Sequence, residues 1–407
     1  MAAVDNQKPL STTLKVVDIE GKGRGLVATR SLKAGEVVLQ DSPILIYSAS
    51  PLKRKPSHGS YLSSFRYCAH CIMTLDSDNK VGSSMVFRCS SCFHPEDGVF
   101  CSQKCQLLAL TLTHTTWVCQ ALSYLRSCSL LDHQHEELQV EARFLVTAYN
   151  LAMVSPSNFQ VLLSLEGDAA VDASPSIFLH SLISALPFPQ GSLTPSLQMT
   201  SALLTKDKLN AFGLMEPFSG TKERSVRAYA IYHIASFFNH DCLPNACRFD
   251  YVDTVSDNNT DIIVRMIHDV PEGREICLSY FPVNLTYPER QRRLRNDSGF
   301  SCFCDRCKVE VNWSNDQDDE DKDEAMEEDE EEGVQRDMSG SQEEFDEVEH
   351  ERDDDFPHAY FFLRYMCDKE NCGGTLAPLP PSGRAVSQYM ECNVCGKLKK
   401  DEIEHES

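Results

Sequence analysis

The cysteines of this chain are the residues whose type and spacing point most clearly to chemistry. Seven of them, together with a histidine, form four closely spaced pairs: Cys68 and Cys71, Cys89 and Cys92, Cys101 and Cys105, His114 and Cys119. Each pair can present two ligands to one tetrahedral zinc ion, so the four pairs suffice for two ions. Buried thiols are the alternative for a single pair, but four pairs in a segment poor in aliphatic residues favour zinc. His70 and His94 lie beside ligand cysteines and are predicted to face solvent.

Two further groups of cysteines lie towards the C-terminus. The first has the spacing C-x-C-x2-C and supplies three ligands: Cys302, Cys304 and Cys307. Its fourth ligand must come from elsewhere, and the candidates are Cys242, which we favour, then Cys247 and Cys277. The second group has two pairs about twenty residues apart, the spacing of a zinc ribbon: Cys367, Cys372, Cys392 and Cys395. These sites predict about four zinc ions and leave Cys128, Cys247 and Cys277 as small core residues.

Composition excludes several classes of protein. The chain has 407 residues, 42% of them apolar, and no apolar run approaches the roughly 20 residues that cross a membrane. The first residues lack the pattern of a secretory signal, so we expect reduced cysteines and a nuclear and/or cytoplasmic protein, neither secreted nor membrane-bound. Residues 316–355 hold 23 acidic and three basic residues, which account for −20 of the net charge of −23. The remainder is almost neutral, so no basic field favours nucleic acid, and the acidic run is predicted to be an unstructured linker.

Strands and helices must hold these candidate ligands in position. The sequence predicts two sets of strands with helices between them. Short apolar runs predict strands at 14–17, 26–29, 36–39, 262–266 and 275–280. Three glycines within residues 21–25 do not suit a strand interior and predict a turn. Apolar residues at spacings of three and four predict amphipathic helices over 138–149 and 226–237. Residues 155–200 fit no single pattern.

Five motifs follow one another along the chain. They are Gly21-Lys22-Gly23-Arg24-Gly25, the eight-ligand segment 68–119, Asn239-His240-x-Cys242-x-Pro244-Asn245, Leu278-Ser279-Tyr280 and Cys302-x-Cys304-x2-Cys307. With these motifs in this order, residues 10 to 310 resemble the SET and MYND domain family of protein lysine methyltransferases. An acidic linker and a zinc ribbon stand where many members have a long helical domain, an arrangement similar to the plant branch of the family.

The resemblance implies a mixed α+β, β-rich fold, a split SET domain with an inserted MYND-type zinc finger and a helical insert. In chain order its segments would be the SET N-terminal part (10–67), the finger (68–119), the helical insert (120–225), the SET C-terminal part (226–285), the post-SET zinc tail (286–312), the acidic disordered linker (313–355) and the zinc ribbon (356–407). Zinc pairing in the family's finger interleaves. One ion would therefore bind Cys68, Cys71, Cys101 and Cys105, and the other Cys89, Cys92, His114 and Cys119.

The resemblance also implies S-adenosylmethionine as the cofactor. The residues that match its binding positions are Lys22, Arg24, Asn210, Ser236, Asn239, His240, Tyr280 and Phe300. Tyr280 and His240 are the implied catalytic residues, and Phe212 and Ser298 lie at the implied substrate channel. Methyl transfer from a sulfonium to an amine is an in-line displacement, so alignment of the two reactants is the main requirement. A narrow aromatic channel also favours the neutral lysine amine, because it desolvates the charged form.

The sequence therefore predicts a protein-lysine N-methyltransferase that uses S-adenosylmethionine, with a histone as the family-level expectation for its substrate. The alternative is a catalytically silent scaffold that binds partner peptides through the finger. The cofactor and catalytic residues favour the enzyme, whereas three departures from the family pattern favour the scaffold: Asp241, Leu243 and Ser298. We predict a monomer that binds a protein substrate and, at the finger, a partner peptide, without membrane binding or direct sequence-specific nucleic-acid binding.

Overall fold

The computed structural model describes residues 12–53, 66–75, 86–92, 97–167, 174–220, 224–253, 259–312, 359–381 and 386–401. Two predictions lie outside these ranges, the solvent-facing His94 and the unstructured linker at 313–355. Within the described ranges, several small sheets and a layer of helices confirm a mixed α+β fold. None of the described helices is long and apolar enough to span a membrane.

The N-terminal strands are distributed over three sheets. They are β1 (Leu14–Ile19), β2 (Gly23–Ala28), β3 (Val37–Asp41) and β4 (Pro43–Ser48). Strands β1 and β2 form an antiparallel pair, whereas β3 and β4 each join strands from much later in the chain. The N-terminal segment is therefore fixed by long-range pairing.

The glycines of residues 21–25 only partly behave as predicted. Gly21 and Gly23 have φ of +73°, which suits a tight reversal between two strands. The expectation that all three glycines lie outside a strand is wrong, because β2 begins at Gly23 and includes Gly25. A Cβ at Gly25 would lie only 2.7 Å from Asn239 Nδ2. Because Gly25 has no side chain, the Asn239 side chain can approach the backbone of β2 closely.

In the finger and the two residues before it, the described residues up to 115 form four two-residue strands and one helix. They are β5 (Arg66–Tyr67), β6 (Thr74–Leu75), β7 (Phe87–Arg88), β8 (Val99–Phe100) and α1 (Gln103–Thr111). Its buried cluster consists mainly of cysteines, with Phe100 and Ala109 as the buried residues of other types. His70 is half-buried, with its Nδ1 3.3 Å from Thr113 Oγ1, so the expectation that it faces solvent is corrected.

The helical layer follows the finger. Its helices are α2 (Thr116–Ser127), α3 (Glu136–Val154), α4 (Pro156–Ser164), α5 (Ser174–Ser184) and α6 (Leu197–Asn210). The helix predicted over 138–149 lies within α3, which is the most deeply buried of them and packs on β4. At this contact the Phe144 and Tyr47 rings lie 5.3 Å apart. Residues 155–200, which the sequence left unassigned, contain α4, α5 and the start of α6.

The later strands complete the central sheets. They are β9 (Ala211–Met215), β10 (Val226–Tyr232), β11 (Asn239–His240), β12 (Ala246–Asp250), β13 (Ile262–Met266) and β14 (Cys277–Leu278). The order β4-β10-β9 gives one sheet and β12-β13-β3 a second, while β11 and β14 form a short parallel pair. This parallel pair brings the motifs at residues 239 and 280 to the same place.

The helix predicted over 226–237 is wrong. Residues 226–232 form β10, the central strand of its sheet, and only Ala235–Phe237 make one helical turn. Ala228, Ala230 and Ile231 are all fully buried, because the strand is covered on both faces. A strand buried on both faces is apolar at consecutive positions, so some of its residues also match a helical spacing.

The C-terminal part consists of the tail and the ribbon. Its elements are α7 (Tyr287–Arg293), a π-helical turn (Leu294–Ser298), α8 (Asp305–Glu310), α9 (Ala359–Tyr365), β15 (Leu376–Pro378), β16 (Tyr389–Cys392) and β17 (Leu398–Lys400). The ribbon sheet β15-β16-β17 packs on β12 and β13. Leu376 and Met390 of the ribbon share a buried cluster with Phe249 and Ile267 of the central part.

Candidate active site and metal centres

Cysteine side chains converge at four places among the described residues. Three groups place four sulfur atoms within 4.8 Å of one another: Cys68, Cys71, Cys101 and Cys105; Cys242, Cys302, Cys304 and Cys307; Cys367, Cys372, Cys392 and Cys395. A fourth group contains Cys89, His114 and Cys119 within the same limit. Four thiolates, or thiolates with an imidazole, are the usual ligands of structural zinc. The clusters therefore could hold zinc, in the interleaved arrangement expected for the finger.

The group around His114 shows most directly that a metal fits. His114 is buried, and its Nε2 has no hydrogen-bond partner among the described residues. A buried polar atom without a partner is costly, and a metal ion would satisfy it. Cys92, the fourth residue of the expected set, is not among the residues that meet within 4.8 Å. It lies close enough to Cys119 that burial, and then the charges of Cys92 and Cys89, raise the pKa of Cys119 to about 12. Bound zinc would reverse this shift, because metals bind the thiolate.

The fold brings Cys242, the favoured candidate for the fourth ligand of the tail cluster, next to the other three cysteines. The Sγ atom of Cys242 lies 3.6 Å from that of Cys307 and 3.9 Å from that of Cys302. The competing residues lie elsewhere in the core, and burial raises the pKa of the Cys247 thiol to about 12. Hydrogen bonds with Cys242 and then Cys302 lower the pKa of the Cys304 thiol to about 5, which favours the thiolate.

Two buried arginines and one glutamate lie beside the tail cluster. Arg290 is fully buried, with Nε 3.3 Å from Cys242 Sγ and Nη2 3.7 Å from Cys307 Sγ. The Arg290 Nη2 also donates to Glu310 at 2.7 Å, and Arg306 binds the other oxygen of the same carboxylate. A guanidinium beside thiolate sulfurs offsets the negative charge of a four-thiolate site.

His240 connects the tail cluster to the predicted catalytic residue. The backbone N–H of Tyr280 donates to His240 Nδ1 at 3.2 Å, so the ring proton lies on Nε2 and faces Cys242 Sγ, also at 3.2 Å. Burial lowers the pKa of His240 to about 3, despite the opposing charge of Cys304. The imidazole is therefore neutral, and its ring lies 5.2 Å from that of Tyr280 and 6.5 Å from that of Phe300.

Tyr280 itself is half-exposed at the end of this arrangement. Its hydroxyl donates a hydrogen bond to the Phe238 carbonyl oxygen at 2.9 Å. Partial burial, followed by the nearby Cys277 and Glu275, raises the pKa of Tyr280, so the hydroxyl keeps its proton. The parallel pairing of β11 with β14 places Tyr280 beside His240, which spacing along the chain could not show.

Asn239 and Lys22 meet at a residue that the sequence analysis missed. Glu275 accepts a hydrogen bond from Asn239 Nδ2 at 2.9 Å and from Lys22 Nζ at 2.6 Å. Burial alone would lower the pKa of Lys22, but its hydrogen bond to Glu275 raises that pKa above the usual value. The sequence feature that could have indicated Glu275 is its position as an acidic residue directly before the apolar run Ile276-Cys277-Leu278.

The other predicted cofactor residues have different neighbours. The Arg24 side chain donates to the Ser164 carbonyl oxygen at 2.8 Å, while its backbone oxygen lies 3.3 Å from Asn239 Nδ2. Asn210, the last residue of α6, donates to the carbonyl oxygens of Glu166 and Lys206. Ser236 donates to the Tyr232 carbonyl oxygen. These side chains hold the helical insert and the chain before β11 in place.

The two predicted channel residues lie on different elements. Phe212 is in β9, where its ring lies 5.5 Å from that of Tyr232. Ser298 is the last residue of the π-helical turn, directly before Gly299 with φ of +77°. Ser298, which has a small side chain, stands two positions before Phe300 in the sequence.

Comparison with known proteins gives a consistent result. A model of the SET domain matches residues 23–281. The histone-lysine N-methyltransferase ASHR2 of Arabidopsis thaliana is 52% identical over 96% of this chain and 96% of its own length. The histone-lysine N-methyltransferase SMYD3 of Mus musculus is 24% identical over 71% of this chain and 60% of its own. A solved SET domain of LSMT, bound to lysine and AdoHcy, covers 72% of this chain and 53% of its own at 14% identity, and its TM-score of 0.28 is too low to support an argument.

Proposed function

The chain belongs to the SET domain family of lysine methyltransferases, and we propose that it transfers methyl groups from S-adenosylmethionine to lysine side chains of histones. The observation that carries this proposal is the identity of 52%, over 96% of both chains, with a histone-lysine N-methyltransferase. The arrangement of His240, Tyr280 and Phe300 beside the tail cluster supports it from within the molecule.

In this proposal Tyr280 is the catalytic residue. Its hydroxyl oxygen and the Phe238 carbonyl oxygen lie 2.9 Å apart and form a polar pair among aromatic rings. Both oxygens can accept hydrogen bonds from a lysine amine that has lost its extra proton. Two such hydrogen bonds would leave the lone pair of the amine nitrogen free to face the electrophilic methyl group that bound S-adenosylmethionine would supply.

The residues proposed to hold the cofactor surround that point. Bound S-adenosylmethionine supplies an electrophilic methyl group on a sulfonium. Phe300, which is 39% exposed, offers a free aromatic face to a purine base. His240 keeps the Tyr280 backbone in place, while Asn239 and Lys22 supply the polar groups.

The finger is proposed to have a separate role. Three exposed leucines lie on α1 and a fourth directly after it, an apolar face of the kind that protein partners cover: Leu107, Leu108, Leu110 and Leu112. We propose that this face binds a partner peptide and that the zinc ions are structural. We also propose that the protein acts as a monomer in the nucleus. Replacing Leu107 and Leu110 by Ser should then weaken peptide binding without changing methyl transfer to free histone.

Two measurements test the proposed function. Calorimetry should show binding of S-adenosylmethionine at one site, and labelled methyl groups should then appear on lysines of core histones, located by mass spectrometry. Metal analysis of the same sample should give about four zinc ions per chain, one for each cluster. Cofactor binding without transfer to histones or to cell extract would refute histone methylation. The absence of cofactor binding would instead favour the silent scaffold.

A further inference from the structure

Both oxygen atoms of one carboxylate, that of Glu275, are used at the predicted cofactor site. Oε1 accepts from Asn239 Nδ2 at 2.9 Å, and Oε2 accepts from Lys22 Nζ at 2.6 Å. The Glu275 side chain is only 17% exposed, while that of Lys22 is 43% exposed. Glu275 is therefore the more buried member of its ion pair with Lys22.

The position of Glu275 is itself fixed by the backbone. Asn245 donates from Nδ2 to the Glu275 carbonyl oxygen at 2.7 Å and accepts from the Cys277 N–H at 2.9 Å. Opposite the carboxylate, a Cβ at Gly25 would lie 3.3 Å from Glu275 Oε1 and 2.7 Å from Asn239 Nδ2. The carboxylate therefore has a defined place, and on the side of Gly25 no room is left for a side chain.

This arrangement determines which end of the Asn239 amide is available. Nδ2 faces two acceptors, Glu275 Oε1 at 2.9 Å and the Arg24 carbonyl oxygen at 3.3 Å. An amide nitrogen donates and its oxygen accepts, so the reverse orientation would place three oxygen atoms together. Oδ1 is thus directed away from Glu275 and can accept a hydrogen bond from another group.

We infer that Glu275 is a positioning residue that orients Asn239 and Lys22 for the zwitterionic amino-acid end of S-adenosylmethionine. The α-ammonium group can donate to Asn239 Oδ1, and the α-carboxylate can accept from the remaining N–H groups of Lys22. This inference rests on the proposed function, because it assumes that the cofactor binds here.

Glu275→Gln tests the inference because a glutamine has only one acceptor oxygen. That oxygen can serve Lys22 or Asn239 but not both, and the new NH2 group would oppose one of the two donors. Calorimetry should show S-adenosylhomocysteine bound about 10- to 100-fold more weakly than by the natural protein. Binding of 5′-methylthioadenosine, which lacks the amino-acid end, should change less than about twofold. The matched control is Glu272→Gln, an exposed residue three positions earlier, which should leave both affinities unchanged.

The possible outcomes separate the inference from the proposed function. Selective loss of S-adenosylhomocysteine binding supports the inference. Unchanged binding, or an equal loss for both ligands, overturns it, since an equal loss indicates a site that is only structurally damaged. If Glu275→Gln does not fold, Glu275→Asp is measured instead, because it keeps the charge but cannot reach both partners. A natural protein that binds neither ligand refutes the proposed function itself.

Discussion

The tail cluster and the ribbon cluster each consist of four cysteines, but the residues around them differ. At the tail, Cys242 Sγ lies 3.2 Å from His240 Nε2 and is bordered by the buried Arg290. At the ribbon, the sulfur atoms of Cys367 and Cys395 lie 3.7 Å apart, and the surrounding contacts are those of a small sheet packed on β12 and β13. A cluster of four cysteines therefore lies beside a candidate active site in one place and within a packed module in the other.

The ribbon is attached to the central part through a buried ion pair. Glu391 accepts from Arg265 Nη2 and from the Tyr251 hydroxyl, each at 2.9 Å. Arg265 is only 2% exposed, and its guanidinium lies 3.8 Å from the centre of the Phe249 ring. The ribbon also reaches the tail, where Arg306 lies 4.6 Å from the centre of the Phe362 ring. A module that ends the chain is thus part of the packed structure.

The largest expected effect comes from removing one ligand of the tail cluster. Cys242→Ser should lower the affinity for S-adenosylmethionine about 100-fold or more, because it disturbs both the metal and the hydrogen bond to His240. The matched variant Cys392→Ser should reduce zinc content and thermal stability as much, while soluble protein binds the cofactor within about threefold of the natural affinity. Equal losses of cofactor binding, measured by calorimetry, would remove the distinction between the clusters.

Arg290 should matter for metal affinity at the tail and not at the ribbon. Arg290→Met removes the guanidinium beside Cys242 and Cys307, and we expect zinc at the tail to be held about 10- to 100-fold more weakly. Competition with a chelator, followed by metal analysis, measures this release as one ion that leaves early. Arg295→Met, at an exposed position on the same segment, is the control. If both variants release zinc like the natural protein, the charge of Arg290 has no role at the cluster.

Glu391→Gln should lower stability without affecting the candidate active site. It leaves Arg265 buried with a neutral partner, and loss of a buried charge partner costs about 3 kcal/mol. The midpoint of urea unfolding should therefore fall, whereas it should not change for Glu370→Gln, which is exposed in the ribbon. Cofactor affinity of the folded variant should stay within about twofold of the natural value. A large loss of affinity would mean that the ribbon also determines the site.

The smallest effect is expected from the acidic segment between the two clusters. Replacing residues 316–352 by a Gly-Ser segment of equal length removes most of the negative charge of the chain. We expect the melting temperature to change by less than about 1 °C, because acidic runs commonly act as solvated spacers. A slower association with basic protein that recovers at high salt would instead assign the segment a steering role.

The sequence was most informative where chemistry depends on residue type and spacing. Three of the four cysteine clusters predicted from spacing converge in the fold with all four residues, Cys242 included, and the fourth converges with three, because zinc geometry restricts the spacing of its ligands strongly. Their zinc binding stays a prediction. The sequence was least informative where pairing between distant segments determines the secondary structure or the contacts of a residue. Strand β10 was predicted as a helix because burial on both faces hides the period of two. Glu275 was missed because its partners are 253 and 36 residues away, and only the folded chain brings them together.

The measurement that tests the account most directly is methyl transfer by Tyr280→Phe. This variant keeps the aromatic ring beside His240 and removes only the hydroxyl that pairs with the Phe238 carbonyl oxygen. Single-turnover transfer from labelled S-adenosylmethionine to histone lysine should slow by about 100-fold or more, because this interaction acts mainly in the transition state. Calorimetry should show S-adenosylmethionine affinity within about threefold of the natural value, since other residues bind it. Undiminished transfer by Tyr280→Phe would contradict the account and leave Tyr280 as a half-exposed residue after β14 without a catalytic role.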